Sequence, residues 1–273
     1  MTFITGHRAM IVGVLAISAP TEQSPDASAI AKKACAAIMG AKSYESVWEA
    51  TSSIGQMGSF VFTFEIKMIP SAGKAIWKIS PKTNGSRATS RGFPGAESTT
   101  VADGKKLSMY LPSGSGYYVS PNKPEDCNPI ANLLRMAVRK STTFEPLSTD
   151  TIDGQPCYVL TFDAKMHVEV EKTGTTVQST VFVDKASNRI KLVKTITTIP
   201  GRVIGRVVAE GEHYEDEDSP PLQIITTLVV KSEAFNRKIP SSAFVLTVPP
   251  GSKLLKHKPT DMVAYLLGGL GTK

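Results

Sequence analysis

The sequence lacks the residue groupings on which most enzyme chemistry depends. It contains 4 histidines, and the last three of these, His167, His213 and His257, each stand alone. No GxSxG nucleophile elbow, Walker phosphate loop, Rossmann glycine pattern or HExxH zinc motif is present. The glycine-rich residues 113–116 (SGSG) are typical of a turn. We therefore predict a binding protein that is not an enzyme and has no catalytic residue and no cofactor.

Metal-binding and disulfide chemistry is also sparse. The 3 cysteines, Cys35, Cys127 and Cys157, do not have the spacing of a zinc site. His213 precedes acidic residues 215–218, which could hold a metal weakly, but a solvated loop is the simpler interpretation, and we predict no metal site. In an oxidising compartment Cys127 and Cys157 are the candidate disulfide, because both flank predicted strands. The alternative is that all three thiols are small buried side chains.

Long apolar runs are missing, since none reaches the ~20 residues that a membrane-spanning helix needs. The run at residues 9–19 (AMIVGVLAISA) follows Arg8 and has the length of a signal-peptide core. Small residues at 27–29 offer a cleavage site, so residues 1–29 are predicted to be a signal peptide. A cut after Ser18, or a buried N-terminal helix, is the alternative. The predicted location is periplasmic or secreted.

The charge balance says little about partners. The formal net charge is +7, spread along a chain that is 41% hydrophobic and can therefore build a sizeable core. Basic proteins can bind anionic lipid surfaces or nucleic acid. Export argues against nucleic acid, so we expect no nucleic-acid partner, and we expect a monomer.

Alternation of apolar and polar residues is the strongest positive signal. Two long segments, 59–69 and 157–171, alternate with period two, which predicts strands with one buried face. Their apolar positions are the predicted binding residues: Phe60, Phe62, Phe64, Ile66 and Met68 in the first segment, and Tyr158, Leu160, Phe162, Met166 and Val168 in the second.

The remaining chain adds turns, further strands and two helices. Asp103-Gly104, Asp153-Gly154 and Ser187-Asn188 predict tight turns. A last strand is predicted at Ala243–Val248. Helical spacing predicts helices at 30–42 and 129–140.

The fold class follows from this balance of strands and helices. It is mainly β (α+β): one large antiparallel sheet, which must curl because it is so wide. Two helices are little cover for such an apolar face, so we expect an apolar concavity.

Several segments resemble the LolA-like lipoprotein-carrier superfamily of exported bacterial proteins. They are AKSY at 41–44, VADGKKLSMY at 101–110, IDGQPCYVL at 152–160, VFVDKASNRI at 181–190, and IPSSAF with VPPGSK within 239–253. The resemblance spans about residues 30–253, which are taken as the domain, with 254–273 as a tail. It implies a half-open β-barrel with helices over its concave face and an apolar cavity for acyl chains.

Two binding hypotheses follow from the pattern and the resemblance. In the first, a periplasmic carrier holds acyl chains of lipids or lipoproteins at the ten apolar positions, with Leu133 and Leu134 on a lid helix. The same residues could instead form a dry core. In the second, the protein senses envelope stress or docks on a membrane-associated protein partner through the apolar tail at 261–270.

Overall fold

The computed structural model of the chain describes most of the sequence after residue 25. The described residues are 26–55, 58–82, 97–112, 116–120, 133, 135–139, 142–163, 174–200 and 220–256. They contain the helix α1 (Ala27–Met39) and strands numbered in chain order. The strands are β1 (Tyr44–Ile54), β2 (Ser59–Ile69), β3 (Lys74–Pro81), β4 (Ser98–Asp103), β5 (Leu107–Leu111), β6 (Gly116–Ser120), β7 (Ser148–Ile152), β8 (Gln155–Asp163), β9 (Thr176–Asp184), β10 (Ile190–Ile199), β11 (Leu222–Phe235) and β12 (Lys253–Leu254).

All of these strands belong to one 12-stranded sheet, in the order β12-β6-β5-β4-β3-β2-β1-β11-β10-β9-β8-β7. Neighbouring strands are antiparallel, except that β12 pairs with β6 in parallel. Within the described chain, β12 and β7 form the two ends and the sheet stays open. The predicted fold class, mainly β and built on one large antiparallel sheet, is confirmed.

The helix α1 forms because small and branched apolar residues recur at helical spacing. Its buried residues are Ala27, Ile30, Ala31, Ala34 and Ile38. Asp26 caps the N-terminus, since its carboxylate accepts a hydrogen bond of 3.2 Å from the Ser28 backbone N–H. The helix therefore begins and ends three residues before the predicted range of 30–42. Residues 133 and 135–137 are also helical, within the second predicted helix.

The sheet has one buried face, because buried and more exposed residues alternate along its central strands. Trp48 on β1 lies opposite Phe64 on β2, and the neighbouring Ala50 lies opposite Leu228 on β11. We call the face that carries these residues the inner face and its opposite the outer face. The inner face and the apolar side of α1 form one hydrophobic core. The outer face carries ion pairs such as Lys67–Glu45, 3.3 Å between Nζ and Oε2.

The predicted turns are present with the expected backbone geometry. Asp153 and Gly154 both have positive φ, at 49° and 76°, and join β7 to β8. Asn188, with φ of 55°, lies in the turn between β9 and β10. β7 had no counterpart among the predicted strands, because its residues 148–151 are polar and exposed on both sides.

The predicted strand at Ala243–Val248 is wrong. Ser241–Phe244 forms a short 3-10 turn, and residues 245–248 have no regular structure. Phe244 is 3% exposed. It lines a cleft with Val101 and Ser108 on the outer face, so the segment packs across the sheet instead of joining it.

Replacing Trp48 tests the inner face as the source of stability. Trp48 is fully buried, and its indole N–H donates to Ser46 Oγ at 2.8 Å. Trp48→Ala should lower the free energy of unfolding by about 3–5 kcal/mol. Thr51→Ala, exposed on the outer face of the same strand, should change it by less than about 0.5 kcal/mol. Urea unfolding followed by circular dichroism measures both, and equal losses would contradict this division of the two faces.

Candidate binding face

The predicted residues of β2 lie on the inner face. Phe62, Phe64, Ile66 and Met68 are buried, and Phe60 is partly buried at the start of the strand. Period-two alternation places all five on one side of the strand, which is the reason the sequence identified them together.

The predicted residues of the second long strand are described only as far as β8 extends. Leu160 and Phe162 are buried, and Tyr158 is partly buried and packs against the same core. Met166 and Val168 lie outside the described residues.

Two register rows connect β8 with β2 across six strands. The first is wholly apolar and runs Leu160, Val181, Val193, Leu228, Ala50, Phe62. The second lies beside it and runs Phe162, Ser179, Thr195, Thr226, Ser52, Phe60. Neighbouring strands are ~4.8 Å apart, so each row is about 24 Å long. The two sets of residues predicted from the sequence are thus the ends of the same rows.

The middle of both rows was missed by sequence reasoning. For β1 the sequence favours a strand over a continued helix without fixing its buried face, and β10 carries apolar residues on both faces. Leu192 and Ile196 of β10 point outward, whereas Val193 and Thr195 point inward. Only the long-range register of β10 with β11 decides which side is buried.

The cover over these rows includes α1, Leu133 and residues 135–139, whereas Phe144 bridges to Phe162 at the edge of β8. Leu133, a predicted lid residue, is 2% exposed, and Leu134 lies outside the described residues. Phe144 packs edge-on against Phe162, with ring centroids 5.4 Å apart. Burial raises the pKa of the Cys35 thiol on α1, and the positive charge of Arg135 acts against that shift. The helix and the segment 135–139 are therefore neighbours.

The opposite end of the inner face is polar. A bulge in the pairing of β1 with β11, between Val47 and Trp48, brings Glu233 opposite Ser46. Arg189 Nη1 lies 3.5 Å from Glu233 Oε1. Burial raises the pKa of Glu233 in spite of Arg189 and Lys191. Burial also raises the pKa of the neighbouring Tyr44 to about 12.

Two surface clefts lie on the outer face, so neither is the predicted apolar concavity. One, of about 280 Å³, is bounded by Val101, Tyr117 and Phe244. The other, of about 230 Å³, is bounded by Lys67, Ile76 and Ala243. The cavity for acyl chains stays a prediction.

The predicted disulfide and the acidic loop lie partly or wholly outside the described residues. Among the described residues, no group of three or more His, Cys, Asp or Glu side chains could hold a metal ion. His213 and residues 215–218 lie outside them. Cys157 is a buried free thiol whose Sγ donates to the Gln155 carbonyl at 3.5 Å. Its predicted partner Cys127 lies outside the described residues, so their pairing stays a prediction.

The described part of the chain contains no helix of the length and apolarity needed to cross a membrane. The apolar tail at 261–270 lies outside it, and the predicted membrane-associated protein partner therefore stays a prediction.

Comparison with known proteins gives structural matches alone. No protein-family model and no curated protein matches the sequence. The LolA superfamily protein NE2245 from Nitrosomonas europaea is 12% identical, with 82% of this chain and 99% of that chain covered and a TM-score of 0.35. LprF from Mycobacterium bovis is 11% identical, with 84% and 98% covered and a TM-score of 0.42. MucB in complex with MucA(peri) is 9% identical, with 81% and 60% covered and a TM-score of 0.37.

The matched structures thus include a member of the superfamily that the sequence resembles. The identities to these three proteins, 9 to 12%, are those of a divergent chain. A likeness at this level concerns the fold and leaves ligand and partner open.

The raised pKa of Glu233 predicts a pH effect on stability. A carboxyl group whose folded pKa exceeds its unfolded value, 4.5 here, binds protons more tightly when folded. Ionising it therefore reduces stability as the pH rises from about 4.5 through the folded pKa. Glu233→Gln, which mimics the protonated form, should remove this loss. Unfolding free energies at pH 4.5 and pH 7 measure the difference.

Asp184 is the control, because its pKa is shifted in the opposite direction to that of Glu233. Its pKa is lowered, first by the hydrogen bond from the Ser187 hydroxyl, which is 2.6 Å from Oδ1. It stabilises the protein above pH 3.8 and loses this effect as the pH falls through its folded pKa. Asp184→Asn should therefore destabilise the protein at pH 7. Similar pH profiles for the two variants would contradict the assignment.

Proposed function

We propose that the protein is a non-enzymatic carrier that holds the acyl chains of lipids or lipoproteins against the inner face of its sheet. The observation that carries the proposal is the apolar row from Leu160 to Phe62, which crosses six strands without a charged residue. With β1 and β2 of 11 residues each, the six-strand face is about 24 Å by 36 Å.

The part of the cover that α1 supplies is weakly held. The helix α1 has 13 residues, so it is about 20 Å long and 10 Å wide and could itself cover about a quarter of the face. The residues of the apolar row are at most 4% exposed, so other residues cover the rest. Ala27, Ala31 and Ala34 make up most of its buried side. Alanine buries little apolar area, and the free energy of burial scales with area. Lifting α1 therefore costs little compared with lifting a helix of leucines.

The proposed binding residues are those that the sequence indicated, extended by the rows. They are Phe60, Phe62, Phe64, Ile66, Met68, Tyr158, Leu160, Phe162, Met166 and Val168, together with Ala50, Val181, Val193 and Leu228. Leu133 and Leu134 belong to the lid. Acyl chains enter when α1 and the 133–139 segment move away from the sheet.

The proposed location is the periplasm or the exterior, with residues 1–29 as the signal peptide, 30–253 as the binding domain and 254–273 as the tail. α1 begins at Ala27 and is capped by Asp26. Cleavage after residue 29 removes that cap and the first helical residues, whereas cleavage after Ser18 keeps them. N-terminal sequencing of the exported protein distinguishes the two sites.

A matched pair of substitutions tests the inner face as the acyl site. Ala50 lies in the apolar row between Leu228 and Phe62 and is 1% exposed. Thr51, the next residue, is exposed on the outer face. Ala50→Leu adds bulk where the chains would lie, and should weaken binding of a fluorescent fatty acyl probe about tenfold, or ~1.4 kcal/mol. Thr51→Leu should leave the affinity unchanged.

Circular dichroism must show an intact sheet in both variants for the comparison to hold. Failure of the wild-type chain to bind the probe, with its sheet intact, would reject the proposed carrier function. Equal affinity in both variants would place the acyl site elsewhere on the protein. Mass spectrometry of lipid that co-purifies with the wild-type chain gives an independent readout.

A further inference from the structure

The second register row differs from the first in chemistry. Between its terminal phenylalanines it carries four hydroxyl residues on four adjacent strands: Ser179, Thr195, Thr226 and Ser52. Thr197 lies two residues from Thr195 on the same face of β10. All five residues are at most 1% exposed. We call these five residues the hydroxyl row, and it runs through an otherwise apolar surface.

Some hydroxyls of the hydroxyl row have hydrogen-bond partners and others have none among the described residues. Ser52 Oγ and Thr226 Oγ1 are hydrogen-bonded to each other at 2.9 Å. The side-chain oxygens of Ser179, Thr195 and Thr197 are buried and find no hydrogen-bond partner in the part of the chain that the structure describes. Leaving a buried hydroxyl unpaired is costly, and an isosteric valine at 195 or 197 would avoid the cost. Three such oxygens on adjacent strands indicate a missing polar partner.

The surroundings decide what kind of group fits. Phe162 and Phe60 close the row at its two ends, and the neighbouring row is wholly apolar. The charged pair Arg189 and Glu233 lies at the Ser46 end of β1. Ser46 is six residues from Ser52, which is about 20 Å along a strand. A carboxylate or phosphate at the hydroxyl row would therefore lie about 20 Å from Arg189, and burying a charge without a close partner is costly. Arg135 lies in the covering segment beside Cys35, not on the sheet.

We infer that the three unpaired hydroxyls of the hydroxyl row, those of Ser179, Thr195 and Thr197, bind the ester carbonyl oxygens of a neutral acylglycerol-type lipid. This inference rests on the proposed function and specifies its ligand. The hydroxyls donate hydrogen bonds, and an ester carbonyl accepts them without carrying charge. The apolar chains on either side of the ester lie along the apolar row and the terminal phenylalanines. The row thereby selects lipids with an ester linkage inside the binding face over free fatty acids.

The test compares three ligands with the same hydrocarbon chains. Dioleoylglycerol, its ether analogue dioleylglycerol and oleic acid each displace a fluorescent acyl probe from the full chain. The wild type should bind the ester about tenfold more tightly than the ether, since one or two hydrogen bonds distinguish them. It should also bind the ester more tightly than the free acid.

The variant Thr195→Val removes one donor and keeps the shape of the side chain. It should lose most of the preference for the ester while its affinity for the ether stays unchanged. The melting temperature of the ligand-free variant should hold or rise, because an unpaired buried hydroxyl has been removed. Thr198→Val, on the outer face of the same strand, is the matched control and should keep the preference. Ser179→Ala provides a second test if Thr195→Val does not fold.

The outcomes separate this inference from the proposed function. Equal affinity of the wild type for ester and ether, or an unchanged preference in Thr195→Val, would overturn the carbonyl site and leave the acyl carrier standing. A fall in melting temperature with an unchanged preference would show that the row holds structural water only. If the wild type binds none of the three ligands, the carrier function itself fails.

Discussion

The pairing of β1 with β11 is the constraint on which the rest of the structure depends. It joins the meander β1–β6 to the meander β7–β11, and both long rows of the inner face cross it. The strands come from distant parts of the chain: the Ser52–Thr226 hydrogen bond spans 174 residues. At the far end, the Asn236 side chain accepts from the Lys42 backbone N–H at 2.8 Å. Pairing strands so far apart in sequence costs loop-closure entropy, which the burial of both rows must offset.

The bulge in that pairing gives the inner face two chemically different ends. Without it, strict alternation would turn Glu233 to the outer face, because a one-residue slip reverses every side chain. With it, Glu233 and Arg189 meet Tyr44 at one end, and apolar and hydroxyl residues occupy the other. A ligand on this face would therefore lie in a gradient from charged to neutral surroundings, which fixes its direction.

The sequence identifies the buried face of strands whose two faces differ in character, and leaves it open in strands such as β10, whose faces do not differ. β2 was predicted almost residue for residue, since its phenylalanines alternate with polar neighbours. β7 was missed because an exposed edge strand has no apolar side, and the segment at 243–248 has the apolar composition of a strand yet packs onto the outer face. Threonine occurs on buried and exposed sides of strands alike, so the burial of Thr195 and Thr197 follows only from contacts with β9 and β11. The apolar residues at the ends of the rows could be predicted from the sequence. The polar residues at the centre could be identified only from the pairing of the strands.

The exposed edge strand β7 affects how readily the protein associates with other chains. An open sheet offers unpaired backbone groups to any passing strand, and long, flat, apolar edges invite it to add another chain. β7 is only 5 residues long and four of them are exposed and polar. At the other end, β12 covers β6 with two residues. Short borders of this kind disfavour the addition of a strand from another chain.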